Sequence, residues 1–122
     1  MRYARGPTDS IDGSDHPSAP AFACSWRQGG LDAGSVDVTG ELDMASAPEL
    51  DACLLALADA DVIVDLAGLT FMDSSGISVL IVAFKRSVKH GRTFVLRAPP
   101  AQVARVLQLS GTDQVFTIEP PD

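Results

Sequence analysis

The chain has 122 residues, 46% of them hydrophobic and 20% charged, which is enough for one modest core and too short for two domains. Sixteen acids against nine bases give a formal net charge of -7, which disfavours a nucleic-acid partner and points to a protein with a basic contact surface. No apolar run approaches the ~18 residues of a membrane span, and the oily middle carries Asp59, Asp61, Asp65 and Asp73, so no span is expected.

Residues 1–20 combine Gly, Pro, Ser and Asp with almost no branched apolar side chain. Such a segment cannot offset the entropy of ordering itself, so it reads as a flexible N-terminal tail ahead of a single domain at 21–122. The polar stretch from Thr8 to Asp15 stands where a signal peptide needs an apolar core, so a cytoplasmic location is expected. Phe22, Cys24 and Trp26 alternate with small residues as a weak first strand. Gly29, Gly30 and Gly34 mark a connection, and Val36 and Val38 open a second short strand ending at Thr39 or Gly40.

The period then changes. Ser46, Pro48 and Glu49 have the pattern of an N-cap, an early helical proline and a capping-box acid, and Leu50, Cys53, Leu54 and Leu57 fall on one face of a first helix over 46–59. Val62, Ile63, Val64 and Leu66 read as a buried central strand. Behind Asp73-Ser74-Ser75-Gly76, the residues Ile77, Leu80, Ile81, Phe84 and Val88 recur at helical spacing. Val79, Val82 and Ala83 widen that apolar sector, so this second helix is either deeply packed or part of an interface. Lys85, Lys89 and His90 suit its C-terminal end, and Gly91 can stop it. Thr93 to Leu96 form another strand, Pro99 and Pro100 introduce a third helix with Val103, Val106 and Leu107 inward, Gly111 breaks it, and Val115, Phe116 and Ile118 make a last strand. This alternation implies right-handed crossovers and a partly parallel sheet, an α/β fold.

Charge is unevenly placed along the chain. Residues 28–84 hold ten acids and no Lys or Arg, whereas residues 85–105 hold six bases and no acid, so an electrically two-sided domain is expected. Cys24 and Cys53 stand 29 residues apart in no CxxC or Cys/His cluster, so neither a disulfide framework nor a structural zinc site is signalled. No metal site and no cofactor is expected: His16 and His90 are dispersed, and neither GxGxxG nor a GK[ST] loop occurs. No GxSxG surrounds a serine, and His90 is the one plausible base, so no catalytic residue is assigned.

The most loaded position is the junction at Asp73–Gly76, where a strand gives way to a helix. A hydroxyl there meets free N–H groups and the positive helix end, so Ser74 or Ser75 can serve as a plain cap, as a modified or substrate-binding serine, or as a nucleophile. Gly76 leaves room for another backbone to approach. Phosphate on an exposed serine here adds nearly two negative charges, which the helix end tolerates but which a docked protein would meet beside Asp73 and the Glu41–Asp43 segment.

Gly40-Glu41-Leu42-Asp43, Val62-Ile63-Val64-Asp65-Leu66 leading to Leu69-Thr70-Phe71-Met72, Asp73-Ser74-Ser75-Gly76-Ile77 and Leu109-Ser110-Gly111 recur in order. On these the chain resembles the STAS domain family, especially the bacterial anti-sigma factor antagonists, over roughly residues 34–118. The resemblance implies a mixed sheet of four to five strands with helices packed mainly on one face, and binding rather than catalysis. It further implies that Ser74 is phosphorylated by an anti-sigma factor that is itself a serine kinase, that the unphosphorylated form captures this partner, and that a serine phosphatase resets the switch. Asp43 and Asp73 match positions beside that serine, with Ser75 and Gly76 as neighbours. Affinity is expected from an exposed surface of Leu42, Ala45, Ala47, Met72, Gly76 and Ile77, with Glu41 among the acids at its rim. Glu49 and Asp51 are either ordinary solvated acids or part of an acidic docking face. The alternative is a non-switching STAS module, structural or sensory, in a stress-signalling complex or a transporter.

Overall fold

The computed structural model describes residues 21–29 and 32–121. Strands β1 (Ala23–Gln28), β2 (Ala33–Leu42), β3 (Asp61–Met72), β4 (Phe94–Arg97) and β5 (Thr117–Glu119) are interleaved with helices α1 (Ala47–Leu55), α2 (Ser74–Lys89) and α3 (Ala101–Ser110). The expected flexible tail at residues 1–20 lies outside the described residues. Among those described, the five strands form one sheet in the order β1-β2-β3-β4-β5, with β1 antiparallel to β2 and every later pair parallel. Each parallel step needs a crossover, and a helix supplies it.

The strands are buried on one side. Val36 and Val38 of β2, Val62, Val64 and Leu66 of β3, and Phe94 and Leu96 of β4 are covered, whereas Ser35, Asp37, Ile63, Asp65, Val95 and Arg97 between them are only half-buried. Leu50 and Leu54 from α1, Ile77, Leu80 and Ala83 from α2, and Val103 and Leu107 from α3 join that same core, so the helices pack mainly on one face. Phe84 and Phe116 meet edge to face at 5.8 Å, closing the β4–β5 side.

Three elements differ from the periodicity. The central strand runs on from Leu66 to Met72, because its pairing with β2 shifts register between Asp37 and Thr39 and again between Gly40 and Glu41. These irregularities bury Leu66, Leu69 and Met72 at intervals of three, which breaks the strand's alternation and hides its second half from a period-two reading. Helix α1 ends at Leu55, and the chain goes on in turns that lay Leu57 over Gly34 of β2, so β2 starts earlier than expected and has room for that leucine only because residue 34 lacks a side chain. Gly111 ends α3 in the left-handed region at φ 77°, and Val115 and Phe116 donate their N–H groups to Thr112 in the turn that follows. The last strand therefore begins at Thr117.

The two charge blocks of the sequence meet in space. Arg86 on α2 lies 3.7 Å from Asp51 on α1, and Arg92 lies 3.6 Å from Asp32. Asp51 is thus an ion-pair partner between helices, while Glu49 is exposed.

Candidate functional site

Leu42 and Met72 are register partners at the C-terminal ends of two parallel strands, and the Asp73 N–H donates to the Leu42 carbonyl at 3.2 Å. Asp43 and Asp73 therefore leave the sheet side by side, at the carboxyl rim where open α/β sheets place their sites. The two aspartates do different work. Asp43 Oδ1 accepts from the N–H groups of Ala45 (3.0 Å) and Ser46 (3.1 Å), tightening the turn into α1. Ser46 sits at the N-cap position without capping through its side chain: its hydroxyl donates to the Glu41 carbonyl at 2.8 Å and accepts from the Asp43 N–H at 3.0 Å. The expected Ser46–Glu49 capping box is thus replaced by a turn that Asp43 holds.

Asp73 is the N-cap of α2, with extended backbone and its Oδ1 accepting from the Ser75 N–H at 2.8 Å. Neither serine caps the helix, and the aspartate before them does so because its acceptor-only carboxylate also suits the positive helix end. Ser74 becomes the first helical residue and is exposed, and among the described residues its hydroxyl takes part in no hydrogen bond. Only its carbonyl is engaged, accepting from the Ser78 hydroxyl at 3.0 Å. Ser75 is half-buried beside it. Asp73→Ala removes the cap and is expected to lower the unfolding free energy by about 1 kcal/mol, read by chemical denaturation, whereas Ser74→Ala leaves it unchanged.

The expected partner surface needs correction. Leu42 (0% exposed), Met72 (1%), Ile77 (7%) and Ala47 (7%) are core residues, and Gly76 is buried as well. A Cβ on Gly76 would lie 2.8 Å from Leu42 Cδ2 and Cγ and from Met72 Cγ. The glycine lets the first turn of α2 sit directly on the strand ends, so the backbone it admits belongs to this chain's own core. Leu42 and Met72 point inward because both end their strands on the helix-covered face, and Ile77 follows Gly76 onto it. Of that set, Ala45 is exposed and Glu41 is half-buried.

Accessible apolar surface near Ser74 lies instead at the seam between α1 and α2. An open groove of about 510 Å³ is lined by Met44, Ala47, Pro48, Asp51, Ser75, Ser78, Val79 and Val82, with Met44 78% exposed. The wide apolar sector of α2 had this signal in part: Ala83 goes to the core, while Val79 and Val82 turn toward the groove. Met44 had none, being one apolar residue in a turn. Ser74 follows Asp73 at the end of this groove, one residue from Ser75 in its wall. His90 stands at the other end of α2, a 16-residue helix of ~24 Å, with its Nδ1 on the Arg86 carbonyl at 3.0 Å. Ser74 and His90 are therefore too far apart to act together. Among the described residues no group of His, Cys, Asp and Glu could hold a metal ion, and no helix is long and apolar enough to cross a membrane.

Comparison with known proteins adds to this geometry. The STAS domain model matches residues 28–121. An anti-sigma-B factor antagonist of Bacillus subtilis (strain 168) is 32% identical over 85 residues, which cover 68% of this chain and 78% of that protein. Among solved structures, an anti-sigma factor antagonist from Mycobacterium paratuberculosis superposes with a TM-score of 0.73 at 24% identity, over 82% of this chain and 86% of that one. The anti-sigma factor antagonist SpoIIAA in its unphosphorylated form gives a TM-score of 0.69 at 22% identity, over 80% of this chain and 87% of its own. Its phosphorylated form gives 0.63 at 20% identity, over 80% and 90%. With its five-stranded mixed sheet, its three helices and the match over residues 28–121, this chain belongs to the STAS domain family.

Proposed function

We propose that this protein is an anti-sigma factor antagonist that works by partner switching, capturing an anti-sigma factor with serine-kinase activity when Ser74 is unmodified and releasing it when Ser74 carries phosphate. The observation that carries this reading is the exposed Ser74 hydroxyl at the mouth of α2, left unbonded among the described residues because Asp73 takes the capping role. A kinase can reach that hydroxyl without unfolding anything. The relatives support the binding role: the Bacillus subtilis protein is an anti-sigma-B factor antagonist, and SpoIIAA is solved in both an unphosphorylated and a phosphorylated form.

The docking surface in this reading is the α1–α2 groove with Met44 and Val82 as apolar contacts, Ala45 and Glu41 on the adjoining turn, and Asp43, Asp73 and Asp51 supplying negative charge for a basic partner face. A serine phosphatase resets the switch, and the whole cycle runs in the cytoplasm. The distance between Ser74 and His90 favours this binding role over serine catalysis.

The test is to incubate the protein with its cognate anti-sigma kinase and with magnesium and ATP, map the phosphate, and measure binding before and after. The expected result is phosphate on Ser74, release of the wild type, and retention of Ser74→Ala on the kinase. Phosphate at another residue would end the site assignment, and equal affinity of both forms would end the switch. A Ser74 left untouched by every cognate kinase would favour the non-switching module.

A further inference from the structure

The two cysteines, distant in sequence, are brought together by the packing of α1 on the edge strand. Cys24 is half-buried on β1, packed against the core, and its Sγ lies 3.8 Å from the Glu49 carbonyl. Glu49 and Cys53 are four residues apart on α1, so the two share one helix face and the Cys53 side chain projects beside that carbonyl. The two thiols are thus neighbours across the packing of α1 on β1. Both are free and half-buried.

We infer that Cys24 and Cys53 are a redox-active dithiol whose oxidation closes a disulfide and staples α1 to β1. This is independent of the partner-switching reading. Hydrogen peroxide oxidises the first thiolate to a sulfenic acid, its O–O bond breaking as an S–O bond forms and the other oxygen leaving as hydroxide, which takes up the proton the thiol gave off and becomes water. The second thiol then attacks that sulfur, forming S–S, breaking S–O and releasing a second water. With a small-molecule disulfide as oxidant, the first thiolate displaces one half as a thiol and the second thiol displaces the other, so two protein hydrogens end on two small thiols.

The surroundings order these steps. Burial first, then the hydrogen bond and charge of Cys53, then the charge of Glu49, push the Cys24 thiol up to about 12. Cys24 therefore stays protonated at neutral pH, and Cys53 is the thiol that meets the oxidant. Once Cys53 is a sulfenic acid or a mixed disulfide, Cys24 beside it is the resolving thiol. The cross-link spans the 29-residue separation, a loop long enough for its closure to weigh on the unfolded state.

The full-length protein is treated with hydrogen peroxide or oxidised glutathione, the remaining thiols are alkylated, and intact mass, peptide map and thermal midpoint are read. The expected product is a monomer lighter by two hydrogens, resistant to alkylation, with Cys24 and Cys53 in one cross-linked peptide and a midpoint at least about 5 °C higher that dithiothreitol returns. Cys24→Ser, which removes the resolving thiol, is expected to accumulate glutathione on Cys53. Two thiols that remain alkylatable, glutathione retained on both in the wild type, or a disulfide-linked dimer in place of the internal bridge would each overturn the proposal.

Discussion

Ser74→Glu is expected to bind the anti-sigma factor about 10- to 100-fold more weakly than the unmodified protein, ~1.4–2.7 kcal/mol, while its own unfolding midpoint does not fall. The two halves of this result have separate causes. Ser74 is the first residue of a 16-residue helix and is exposed, so a carboxylate there faces the positive end of α2 and costs the fold nothing. Against a docked partner the same charge loses water and is repelled by Asp73 and Asp43, which stand at the same rim of the sheet. Isothermal titration calorimetry with the purified anti-sigma factor reads the first half and differential scanning calorimetry the second. A fall in midpoint that matched the fall in affinity would assign the effect to misfolding, and an unchanged affinity would remove the charge mechanism.

Leu42→Ala is expected to have the largest effect on stability, lowering the unfolding free energy by about 2–5 kcal/mol out of the ~5–15 kcal/mol that a domain of this size has. Leu42 is fully buried at the end of β2, touching both the strand end at Met72 and the first turn of α2. Gly76→Ala is expected to cost about 1–3 kcal/mol by overpacking, because its new Cβ would be forced against Leu42 and Met72. The double variant tests the contact itself. Two of the three atoms nearest that Cβ belong to Leu42, so shortening the leucine clears most of the obstruction and the combined loss falls short of the sum by at least about 0.5 kcal/mol. Urea denaturation of the four proteins gives the cycle, and strict additivity would show that the glycine is not there to admit Leu42.

The order of elements was legible because helical and strand periods alternate cleanly along the chain, and each parallel step fits a helical crossover. The second half of β3 was not, since the register shifts against β2 bury Leu66, Leu69 and Met72 three apart, a spacing that belongs to neither period. The mouth of α2 was legible from Asp73-Ser74-Ser75-Gly76, yet the division of labour within it was not: any of three side chains can cap, and only the geometry gives the role to Asp73. Leu42, Met72 and Ile77 were placed on the surface because the way a strand end or a first helical turn faces depends on register and packing, which composition does not carry. The groove was legible in part, through Val79 and Val82 in the wide apolar sector of α2, but not as a groove, which exists only where two helices meet. Cys24 and Cys53 form no motif along the chain, and their proximity follows from β1 lying against α1.

The sheet is held more firmly at its centre than at its borders. Strand β3 has a paired neighbour on each side and Leu66 and Val64 fully covered, while β1 is paired on one side alone and most of its side chains, Trp26 included, face solvent. Peeling β1 away therefore uncovers little oil and breaks a single ladder, so this strand can detach for moments while the rest of the domain keeps its shape. A bridge from Cys24 to α1 would fasten an edge strand that the hydrophobic interior holds only loosely.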